Sequence, residues 1–129
     1  MSKTLLTAFN TQLTNFLDEL VALCPEESDF KVFRNAISLL KKTNPRKVVE
    51  LFDKYSANYK KYILEKDESF ILNDDYNIIV NDINSSSENI WNTITKIRKY
   101  WTNLSETNKE SIWKYFQILI NLNDLIKNS

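Results

Sequence analysis

"LSETNKESIWKYFQILI", residues Leu104 to Ile120, begins as a polar helix start and runs into a segment that is apolar on most of its surface. Ser105 offers a capping oxygen, and Ile112, Trp113, Phe116, Leu119 and Ile120 follow at helical steps. Carried on to about Lys127, the apolar positions of this helix cover about 240° of its wheel, whereas a surface helix needs little more than about 100°. Only Lys114, Gln117, Asn121 and Asp124 form a polar strip. Two explanations stay open. Either the terminal helix lies centrally with neighbours on three sides, or one edge of it, Ile118, Leu122 and Leu125, meets another molecule, since monomers rarely leave large apolar patches open.

Upstream, the chain reads as further helices. No strand-like alternation is bounded by hairpin turns, and glycine, on which most tight turns rely, is absent. Leu6, Phe9, Leu13, Phe16, Leu17, Leu20 and Cys24 make one stripe of a helix from about Lys3 to Cys24, which Pro25 ends. A second helix follows "PEESD" and turns Phe30, Phe33, Ile37 and Leu40 inward before stopping near Lys42. Asn44-Pro45 is an N-cap and a first-turn proline, and the spacing predicts a third helix running from Pro45 to about Leu64. Its inward stripe is Val48, Phe52, Tyr55, Tyr59, Tyr62 and Ile63. In the acidic middle, one or two short helices are expected, the clearer from Asp75 to Ile83, then a loop at Asn84 to Ser87. Ser87 caps a helix from Glu88 to about Thr102 with Ile90, Ile94, Ile97 and Trp101 inward. Trp91 lies about 100° off that stripe near Arg98, as a flanking core residue or a contact residue. The expected fold is an all-α bundle of five to six helices forming one domain over residues 1–129.

The missing residue types exclude chemistry. There is no histidine and one cysteine, so the usual zinc ligand sets and a Ser-His or Cys-His nucleophile cannot be assembled within this chain. Without glycine, phosphate-cradling loops and dinucleotide folds are also disfavoured. Asp67-Glu68 and Asp74-Asp75 are paired carboxylates, but neighbours on a helix diverge by about 100° and no calcium-loop spacing surrounds them. Capping and solubility explain them more simply. No catalytic residue, metal or cofactor is expected. No window approaches the ~20 apolar residues of a membrane span, and "MSKTLLTAFNTQLTNF" lacks a signal peptide's apolar centre, so the chain reads as intracellular or as carried in a particle made within a cell.

Formal charge is zero overall but uneven along the chain. Residues 31–61 hold nine basic side chains against Glu50 and Asp53, a net of +7, and residues 65–88 hold seven acidic ones against Lys66, a net of −6. Lys41, Lys42, Lys47, Lys54, Lys60 and Lys61 make up most of a basic patch, with Lys47, Lys54 and Lys61 seven residues apart along the third helix. Three uses are open: a solvated face, a nucleic-acid contact, or a protein contact, including a second copy whose acidic middle meets the basic helix. Contact with a protein is the leading function and nucleic-acid binding the alternative.

At "NPRKVVELFDKY", "ILEKDESFILNDDY" and "YWTNLSETNKESIWKYFQILINL" the chain resembles small helical proteins encoded by large (giant) DNA viruses of algae and protists. In those proteins an Asp-Glu-x-Phe stretch precedes a C-terminal Lys-x-x-Ile-Trp-Lys-Tyr/Trp segment. The matching residues are Asp67, Glu68 and Phe70, then Lys109, Ile112, Trp113, Lys114 and Tyr115. The resemblance implies a viral protein of the host cytoplasm or the virion, and it brings no catalytic residues with it.

Overall fold

The computed structural model describes residues 3–57, 59–72 and 96–129, apart from the side chains of Tyr55 and Phe70. Among these residues the chain is all-α, without a strand. The helices are α1 (Lys3–Leu23), α2 (Ser28–Thr43), α3 (Pro45–Ser56), α4 (Lys60–Leu64), α5 (Ser69–Leu72), α6 (96–101) and α7 (Glu106–Lys127). The expected helix at Asp75 to Ile83, the loop at Asn84 to Ser87, the Ser87 cap and Trp91 all lie outside the described residues.

The amphipathic stripe of α1 places this helix at the centre: Phe9, Leu13, Phe16, Leu17 and Leu20 are buried, and α2, α3 and α7 all pack against it. Each large apolar side chain so enclosed contributes about 1.5–3 kcal/mol relative to exposure. Ring contacts fix how the neighbours sit. Phe9 meets Phe52 of α3 edge-on with centroids 5.1 Å apart, and Phe16 meets Phe116 of α7 in the same manner at 5.1 Å. From α6, Ile97 and Trp101 enter the core, and the Trp101 ring stands edge-to-face on Trp113 of α7 at 5.4 Å and 77°. Trp113 is thus buried. On the α1 side, Tyr115 and Phe116 of α7 meet Phe16, while the Trp113 ring meets Trp101 of α6.

Caps set the helix ends. Asn44 serves two helices at once: its N–H donates to Leu40 O at 2.7 Å to close α2, and its side-chain oxygen accepts from Lys47 N at 3.2 Å to open α3. Ser105 Oγ accepts from Asn108 N at 3.1 Å and opens α7, as its position in the sequence predicts.

The third helix is shorter than expected. It ends at Ser56, and α4 resumes only at Lys60, after a tight turn in which Tyr59 N donates to Ser56 O at 2.9 Å. Tyr59 and Ile63, both on the expected inward stripe, are buried at 4% and 5% exposure on the far side of the break. Ser56 itself is buried at the kink. The seven-residue spacing of Lys47, Lys54 and Lys61 thus does not run through one continuous helix.

α4 ends without glycine. Lys66 takes φ 54°, the left-handed position, with its N–H donating to Ile63 O at 3.2 Å and Asp67 N–H donating to Tyr62 O at 2.8 Å. This is the double hydrogen bond of a Schellman turn, and a side chain there costs roughly 1–2 kcal/mol that glycine would not. Asp67 then caps α5 by accepting from Ser69 N at 3.0 Å.

Candidate functional site

The over-apolar arc of α7 is mostly used internally. Ile112, Trp113, Leu119, Ile120 and Ile126 are buried, and Tyr115, Phe116 and Leu122 are half-buried against the core. Neighbours α1, α3 and α4 account for most of that width. Of the three edge residues singled out as an interface, Leu122 packs on the core, Ile118 is half-buried and Leu125 is 53% exposed. The structure therefore brings this trio to one edge of α7 but leaves only Leu125 largely in solvent.

More apolar surface stands on α2. Val32 is 63% exposed and Leu39 66%, both on α2, and Ala36 between them is exposed as well. At 100° per residue these three lie within about 60° of one another, on a line distinct from the inward Phe30, Phe33, Ile37 and Leu40. That spacing was present in the sequence, overshadowed by the stronger inward stripe on the same helix.

The cations of residues 31–61 divide into two groups. Arg34 pairs with Asp18 at 3.3 Å, Lys41 Nζ donates to Thr14 Oγ1 at 3.4 Å, and Lys60 pairs with Asp124 at 2.7 Å. Lys41 and Lys60, counted in the basic patch, are thereby engaged inside the molecule. Lys31, Lys42, Arg46, Lys47, Lys54 and Lys61 are exposed and have no partner among the described residues. The acids are placed the other way. Glu27 receives the Tyr100 hydroxyl at 3.2 Å with Lys96 and Lys99 within 3.9 Å, and Lys66 reaches Glu110 at 2.7 Å. Asp53 accepts from Asn123 Nδ2 and pairs with Lys127. The Asn123 amide, and behind it Lys127 and Lys60, hold the Asp53 carboxyl below its usual range against the opposing effect of burial. The free charge of α2 and α3 is thus predominantly positive.

Among the described residues no group of three or more His, Cys, Asp or Glu side chains converges that could hold a metal ion. Asp67 is occupied as the α5 cap, whose Ser69 N–H lowers its pKa, and Glu68 lies 4.0 Å from Lys109; Asp74 and Asp75 fall outside the described residues. Cys24 is a free thiol, buried, and its pKa is raised by burial and by the nearby Glu26 and Glu27 carboxylates, the opposite of an activated nucleophile. No described helix is long and apolar enough to cross a membrane. Comparison with protein families, with curated proteins and with solved structures finds no match to this chain.

Proposed function

We propose that this chain is a non-enzymatic helical protein that acts by contact with other proteins. The observation that carries the reading is that Val32, Leu39 and Leu125, three of the large apolar side chains, stand more than half in solvent on helices with otherwise well-filled inner faces. Single exposed apolar side chains are ordinary. Val32 and Leu39, however, share one line of α2 with exposed Ala36, and a continuous apolar line is the kind of surface that contact with another protein covers. The viral resemblance adds that the partner belongs to a virus particle or its host cell, and the protein content of purified particles is the check on that part.

Sedimentation velocity over a wide concentration range, with a pull-down comparing the natural chain and a Val32→Ser/Leu39→Ser/Leu125→Ser variant, tests the central reading. Self-association or a captured partner that the variant loses supports it. A monomer at high concentration whose capture profile the variant leaves unchanged ends it.

The six unpartnered cations favour a second reading, a nucleic-acid accessory protein. Binding carried by phosphate contacts weakens linearly on a log scale as salt rises. No binding of a duplex or single strand at about 50 mM salt removes this alternative.

A further inference from the structure

α2 has three distinguishable sides. Phe30 and Ile37 face the core; Arg34 and Lys41 face α1 through Asp18 and Thr14; and Val32, Ala36 and Leu39 face outward. Beside that outward line, on the next strip of the helix, stand the exposed and unpartnered Lys31 and Lys42. α3, which packs on α2, adds exposed Lys47 and Lys54. An apolar ridge with lysines alongside is complementary to a surface with an apolar stripe and a carboxylate border.

We propose that the outer side of α2 seats an acidic amphipathic helix from a partner protein, its apolar stripe lying on Val32, Ala36 and Leu39 and its carboxylates facing Lys31 and Lys42. This rests on the reading that the chain acts through protein contacts and names the face and the partner's chemistry. Apolar side chains at steps of four and three are what a second helix can straddle by ridge-into-groove packing. A second copy fits poorly. Pairing α2 with its own copy sets Lys31 and Lys42 against like charges, and Asp18, Glu27, Asp53, Glu110 and Asp124 are already in ion pairs. A copy could offer carboxylates only from elsewhere, such as Glu26, Glu50, Glu65 or the acidic middle, the last of which a competing peptide of residues 73–95 tests. Nucleic acid would leave Val32 and Leu39 against phosphate without gain, and a membrane surface would find only two large apolar side chains and no aromatic one on this line.

The test selects binders to the full chain from a displayed library of amphipathic helices. Their apolar positions are fixed as Leu, and their flanking positions are randomised among Glu, Gln and Lys. Glu should be enriched at the flanks. Binding of a selected peptide should fall at least about tenfold for Val32→Ser/Leu39→Ser, fall for Lys31→Glu/Lys42→Glu, and weaken as salt rises. These positions are exposed, so melting temperatures of the variants should match the natural chain and exclude unfolding as the cause. The proposal is overturned by flanks without charge preference or by selected peptides indifferent to the serine pair. It is equally overturned if a synthetic peptide of residues 73–95 displaces the binder, which would assign the face to the chain's own segment, or if anionic vesicles or DNA bind through Val32 and Leu39. If no peptide binds while the chain self-associates through Leu125, the acidic-helix proposal falls and the protein-contact reading stands; if neither occurs, both fall.

Discussion

Asn123 of α7 donates its Nδ2–H to Asp53 Oδ1 of α3 at 2.8 Å, and Lys127, one turn further along α7, reaches the same oxygen at 3.2 Å. Asn123 is only 4% exposed, and its amide N–H is satisfied by tying two helices together, while its Oδ1 is enclosed without a hydrogen-bond partner. Replacing Asn123 with Ala should cost about 1–3 kcal/mol in urea unfolding, because the carboxylate loses its buried donor. A cost near zero would mean water replaces the amide freely.

The same contact gives stability a pH dependence. The folded-state pKa of Asp53 lies below that of the unfolded chain, so its contribution is complete above the ordinary aspartate range and is lost as pH falls through about 4 and lower. Melting curves of the natural chain and of Asp53→Asn should differ at about pH 6 and converge at about pH 2.5. A gap that stays constant through acid would place the origin of the effect elsewhere.

Lys66 is the one described non-glycine residue with positive φ. Lys66→Gly should stabilise the chain by about 1 kcal/mol, since relief of the left-handed backbone exceeds the entropy cost of glycine and the loss of an exposed ion pair with Glu110. Lys66→Ala, which removes the ion pair and keeps the strained backbone, should change urea stability by no more than about 0.5 kcal/mol. If the glycine variant is the less stable of the two, the turn is not strained.

Trp113 and Leu125 sit on one helix with opposite exposure, 3% and 53%. Trp113→Ala should cost roughly 3–5 kcal/mol by opening the contact with Trp101, and Leu125→Ser less than about 0.5 kcal/mol. Thermal melts separate the two cases. Comparable losses for both would make Leu125 a core residue.

Buried Cys24, with its thiol pKa raised, should resist an aromatic disulfide reagent at about pH 8 in the folded chain and react promptly in urea. Rapid labelling of the native chain would contradict its burial.

How much of this was legible depends on the kind of signal. Caps and periodicity are local, so Asn44, Ser105 and the stripe of α1 could be read directly. The break after Ser56 could not. Tyr59 and Ile63 fall on the inward stripe of a continuous helix and are buried in the interrupted one as well, so the periodicity does not tell the two apart. The charge imbalance was visible as composition, yet which lysines are engaged was not, because Lys60 meets Asp124 across 64 residues of chain. Val32 and Leu39 show the limit from another side: the stronger line of α2, Phe30, Phe33, Ile37 and Leu40, was legible as the inward one, but nothing in the sequence showed whether the weaker line would be covered.

The doubly used Asn44 leaves the corner between α2 and α3 with no slack. Most surface connections absorb an extra residue at small entropic expense, since loop closure depends only weakly on length. Here one residue terminates one rod and begins the next, so the joint behaves as a rigid elbow, and whatever displaces α2 is transmitted to α3. An alanine inserted after Asn44 should therefore lower the melting temperature far more than one inserted between Thr102 and Asn103, in the turn before α7. Equal tolerance at the two sites would show the elbow to be compliant. If it is stiff, the lysines of α2 and α3 keep a fixed spacing, and a partner that matches that spacing need not order them on arrival.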